Sequence, residues 1–93
     1  MKLNLELNKN NYENVIKCAD KLINIRKKIP DFFGNDFYQI LITVAIFTNT
    51  TNYIDYINEN NPNFNPNEPL NSNVVKFLIL IGFKFNLSEY KIP

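Results

Sequence analysis

Leu3, Leu5 and Leu7 alternate with polar neighbours, the period of two that belongs to a half-buried strand. From Tyr12 onward the period changes. Tyr12, Val15, Ile16, Ala19, Leu22 and Ile23 fall at helical steps and lay one apolar stripe along an amphipathic helix. Asn10 and Asn11 are suited to cap its start. Arg26, Lys27 and Lys28 put cations at the negative end of the helix dipole, and Pro30 forbids continuation. The basic trio therefore reads as a helix terminus rather than a binding patch.

Asp31 or Asn35 is expected to open a second helix, in which Phe33, Phe37, Ile40, Leu41, Val44 and Phe47 keep helical spacing. Ile42, Ala45 and Ile46 fill its other sides, and a helix apolar nearly all round belongs in the middle of a domain. The run TNTTN, residues 48 to 52, ends it, because Asn and Thr side chains bond their own backbone and favour caps and turns. Tyr53, Ile54 and Ile57 then mark a short third helix, capped by Thr50, Thr51 or Asn52.

The tract NENNPNFNPNEPLNSN, residues 58 to 73, reads as a surface loop broken by Pro62, Pro66 and Pro69, with Phe64 as its large apolar anchor. Asn71, Ser72 and Asn73 compete to cap a fourth helix over 74 to 81, with Val74, Val75, Phe77, Leu78 and Ile81 inward. Gly82 stands where a helix ends in a conformation that only glycine adopts cheaply, and Phe83 is expected to fold back beneath it. Phe83, Phe85 and Leu87, then Tyr90 and Ile92, predict two arms of a hairpin turning at residues 86 to 89. The fold class is α+β and mostly helical: about four helices on a small antiparallel sheet near the C-terminus. Residues 1–93 read as one domain, with 1–9 as a strand or an extension.

Composition narrows the function more than it defines it. Ten Lys and Arg against nine Asp and Glu leave a net charge of +1, too little basic excess for nucleic acid. No apolar window approaches the roughly 20 residues of a spanning helix, and no membrane partner is expected. The lone Cys18 suits a reducing compartment, so the expected setting is the cytoplasm or nucleus. There is no His, no Gly-rich phosphate loop and no activated Ser or Cys, so neither catalysis nor a metal or other cofactor is expected. A non-catalytic binding module remains. Its candidate surface gathers aromatic and polar side chains at a helix end: Asn49, Asn52, Tyr53 and Tyr56.

The C-terminal half also resembles a known family. Tyr53, Asn61-Pro62-Asn63-Phe64, Pro69-Leu70, Ile81-Gly82-Phe83 and the closing Ile92-Pro93 are similar to the pattern of the PUB (or PUG) domain, found in peptide:N-glycanase and in a subunit of the linear-ubiquitin ligase. Residues 37–93 carry the likeness, with DFYQILITVAIF as the family's central helix. The resemblance implies a monomeric adaptor that captures the acidic C-terminal tail of the valosin-containing AAA+ unfoldase in ubiquitin-linked protein handling. On matching positions it implies that Tyr53 lines the peptide pocket, that Asn52 and Ile57 replace basic contacts, and that Phe47, with Asn49 nearby, stands where an Asn bonds the peptide. The other reading is a domain that associates with a copy of itself through Tyr53, Tyr56 and Phe64.

Overall fold

The computed structural model describes residues 5–86 of the 93. Strand β1 (Leu5–Glu6) leads through a short 3-10 turn, Lys9–Asn11, into α1 (Tyr12–Lys28). Helices α2 (Asp36–Thr48), α3 (Thr51–Asn60) and α4 (Ser72–Ile81) follow, and β2 (Lys84–Phe85) closes the order. The class is the expected one, α+β and mostly helical.

Helix α2 is the centre. Every residue from Phe37 to Val44 is buried, and α1, α3 and α4 all pack on it. The two polar residues in that stretch are satisfied internally: Thr43 Oγ1 donates back to the Gln39 carbonyl at 2.8 Å, and Gln39 is bonded at both ends of its amide. From α1, Val15, Ala19 and Leu22 supply the buried side of the expected stripe.

Three local expectations change. Phe33 lies outside α2, in a turn where it and Gly34 both take positive φ, 66° and 54°. Arg26 Nη1 donates to the carbonyls of Phe32 at 2.9 Å and Gly34 at 2.7 Å, the Gly34 N–H bonds the Asp31 carbonyl at 2.8 Å, and the Phe33 ring packs on Phe32 and Phe77, which together hold the loop in a tight curl. So Arg26 holds the next loop instead of simply ending its own helix. Asn11 does not use its side chain as a cap for α1; it donates to the Gly82 carbonyl at 3.3 Å, and Asn14 donates to the Ile81 carbonyl at 3.2 Å. The partner of Lys84–Phe85 is β1, antiparallel, with Leu5 opposite Phe85 and Glu6 opposite Lys84. The expected second hairpin arm, Tyr90 and Ile92, falls outside the described residues.

Helix α4 ends as Gly82 requires. The Phe83 N–H reaches the Leu78 carbonyl at 2.9 Å and the Gly82 N–H reaches that of Ile79 at 3.2 Å, the paired bonds of a Schellman stop. With φ at 135° position 82 strains any side chain, and a Cβ there would stand 3.3 Å from Asn11 Cβ, so Asn11 would have to give by a few tenths of an ångström. Phe83 is buried beneath the stop, its ring edge-on to Phe47 at 5.2 Å.

Candidate functional site

Six of the residues expected to form a peptide pocket lie on α3 or at the C-terminal end of α2, and the seventh, Phe64, lies in the loop beyond. Tyr53, 3% exposed, and Ile57 are core residues of α3 that fill the space beside that helix themselves. The Tyr53 hydroxyl donates to Asp20 at 2.6 Å, with the Ile16 carbonyl at 3.1 Å as a second acceptor. Burial, and then the bond to Asp20 and its charge, push the phenol pKa well above its ordinary value of 10.0. Tyr56 is half-buried, edge-on to Phe37 at 5.9 Å. Phe47 is half-buried against Phe83. Asn49 is exposed at the left-handed C-cap of α2, a conformation that Asn tolerates, and Asn52 is exposed on the first turn of α3. Of the seven, Phe64 alone lines the hollow that the structure forms at the other end of α2.

That hollow, about 380 Å³, lies between the start of α2 and the loop from 61 to 71. Its lining includes Asn35, Asp36 and Gln39 from α2 and its cap, Asn61, Asn63, Phe64, Asn65, Glu68 and Pro69 from the loop, and Asn71 from the cap of α4. The loop holds its own shape. Phe64 N–H bonds the Asn61 carbonyl at 3.0 Å and Glu68 N–H bonds that of Asn65 at 3.2 Å, making two successive turns, each with Asn first and Pro second. Asn65 Oδ1 also accepts from the Asn67 N–H at 3.0 Å, an Asx turn inside the second. The Phe64 ring leans on Tyr38, centroids 6.1 Å apart.

The hollow is fastened to α2 by Gln39, 7% exposed. Its Nε2 donates to the Pro69 carbonyl and its Oε1 accepts from the Asn71 N–H, both at 3.1 Å. Asn71 Nδ2 donates to Asp36 at 2.7 Å, while its Oδ1 caps α4 by accepting from Asn73 and, more weakly, Val74. By contrast, the side-chain amides of Asn35, Asn61 and Asn63 bond to no other described residue and face solvent in whole or in part.

Chemically the site offers neutral amides, each donor and acceptor at once, with the carboxylates of Asp36 and Glu68, around one aromatic ring. The amides can pair the N–H and C=O of an extended backbone. The lining holds no Ser, Thr, Cys, Lys or His, and among the described residues no three His, Cys, Asp or Glu side chains gather as metal ligands. No helix among them is long and apolar enough to cross a membrane. Sequence reasoning singled out Phe64 but missed Gln39, Asp36 and the loop amides. Two signals were present: the repeated Asn-Pro-Asn, which is turn chemistry rather than random Asn content, and a single amide in an otherwise apolar helix, which must find partners when buried. No protein-family model matches the chain, and no curated protein or solved structure matches it significantly.

Proposed function

We propose that this chain is a non-catalytic peptide-binding adaptor module of PUB-like type, and that the peptide lies in the hollow edged by Phe64. What supports the reading is the set of amides that bond to no other described residue, Asn61 and Asn63 on a loop already ordered by its own bonds and Asn35 at the start of α2, lining the same hollow as the Phe64 ring. A pre-shaped loop loses little freedom on binding, which favours affinity. This moves the peptide away from Tyr53 and Ile57, whose side chains support the core beneath α3. The tail of the valosin-containing unfoldase is the partner that the resemblance names, in cytoplasmic or nuclear ubiquitin-linked handling.

The test is a fluorescence-polarisation titration of the chain with a labelled copy of that tail, beside Phe64→Ala. Saturable binding that Phe64→Ala weakens about tenfold or more supports the reading, on the scale of a lost aromatic contact. Absence of saturation below about 1 mM removes this tail as partner.

A second reading, self-association, is favoured by Leu80, 81% exposed beside the exposed Ile79 on the outer side of α4. This surface differs from the Tyr53, Tyr56 and Phe64 face expected from sequence. Sedimentation of the chain and of Leu80→Lys separates the cases: a concentration-dependent dimer that the substitution abolishes supports it, and a monomer at high concentration removes it.

A further inference from the structure

We propose that the hollow selects a cationic side chain, arginine above lysine, as the specificity residue of the peptide it binds; this rests on the peptide-binding reading and names the partner's chemistry. The lining holds two carboxylates, Asp36 and Glu68, and no Lys or Arg. The ion pairs formed among the described residues, Lys17 with Glu13 and Lys84 with Glu6, lie elsewhere, so neither carboxylate is neutralised within them. Asp36 stands in the first turn of α2, but the positive end of a helix dipole amounts to only about half a charge and leaves the site negative.

Geometry adds a second argument. The fold already contains one guanidinium held as a ligand would be: Arg26 Cζ lies 4.5 Å from the Phe37 ring centroid and 5.0 Å from that of Tyr38, with carbonyl oxygens taking its N–H groups. The hollow repeats those parts with no cation of its own. Phe64 supplies a half-exposed ring leaning on the same Tyr38, the Asn61 and Asn63 amides supply neutral oxygens, and Glu68 supplies an exposed carboxylate. A planar fork fits this set of acceptors better than a point charge. An acidic tail would meet the wrong sign, so a cationic peptide here is a rival to the unfoldase tail as partner, and saturable binding of that tail weakened by Phe64→Ala would count against the cation selectivity.

The experiment uses the whole chain, ¹⁵N-labelled, titrated with four heptapeptide pools whose fixed central residue is Arg, Lys, citrulline (the neutral isostere of Arg) or Glu. Expected is movement of the Asn61, Asn63 and Asn71 side-chain amide signals at about tenfold lower concentration for the Arg pool than for the citrulline and Glu pools, combining an exposed ion pair with a ring contact, with the Lys pool between them; a Lys response equal to or stronger than Arg overturns the preference for the planar fork. The preference should fall with added salt and shrink in Glu68→Gln, an exposed position whose change spares the core. Equal response to Arg and citrulline, or a preference for Glu, overturns the cation selectivity while leaving peptide binding intact. If no pool moves these signals, the hollow is no peptide site and both readings fall.

Discussion

At its C-terminal end α2 is closed by rings and apolar side chains: Phe47 meets Phe83, and the following turn delivers Tyr53 into the core with its hydroxyl on Asp20. At its N-terminal end the same helix is held by amides, Gln39 and Asn71, that leave an open, polar, negatively charged hollow. One helix thus carries two kinds of junction. The apolar one spends its side chains on stability, whereas the polar one keeps donors and acceptors free after its own bonds are made. A peptide site is sooner found where hydrogen-bonding capacity is left over than where the most aromatic residues are.

Breaking the closed junction should have the largest effect. Phe83→Ala removes a ring packed beneath the α4 stop and is expected to lower unfolding stability by about 3–5 kcal/mol, read from urea melts. A loss under about 1 kcal/mol would mean that this end is not sealed as described. Gly82→Ala should follow, at about 1–3 kcal/mol, because a Cβ there is strained by the backbone and faces Asn11; unchanged thermal unfolding would show that the clasp relaxes freely.

Tyr53→Phe sharpens the contrast, because it removes only the polar tip of the closed end. The expected cost near neutral pH is about 1 kcal/mol, or somewhat more because the acceptor is charged. Since the folded phenol pKa is raised, the native chain's advantage over the variant is whole below the ordinary value of 10.0 and shrinks as the pH climbs past it. Denaturant unfolding of both proteins at neutral and strongly alkaline pH would show this, and a gap that widens with alkali would contradict the sign. At the open end, Asn71→Ala loses a helix cap and should cost about 1 kcal/mol, the smallest of the four, while disturbing the hollow. A hydrogen-exchange map in which protection drops across 61 to 71 but not around Tyr53 is the outcome that separates the junctions.

Much of the fold is legible in residue spacing. The stripe from Tyr12 to Ile23, the all-round apolar α2 and the Gly82 stop each follow from local periodicity or a backbone need that few residues meet. What the chain could not show by itself is which of several equivalent Asn residues does which task. Asn8 caps the 3-10 turn, Asn11 and Asn14 reach across to α4, and Asn71 caps it; the difference lies in distant carbonyls, not in neighbours. Phe33 was misplaced for a similar reason, since a guanidinium from the preceding helix and the ring of Phe77 together outweigh its helical spacing. The candidate site was less legible. Aromatic content points to Tyr53, whereas the hollow depends on a buried glutamine and paired Asn-Pro turns whose meaning appears only once α2 and the loop are side by side.

The Asn11 bond to Gly82 joins positions 71 apart in sequence. A chain emerging from a ribosome therefore cannot latch α1 to the end of α4 until residue 82 has emerged, and loop closure of that span slows folding. Until then the face of α2 that α4 covers stays open, so the growing chain passes through a window in which chaperones or its own greasy surfaces compete for it.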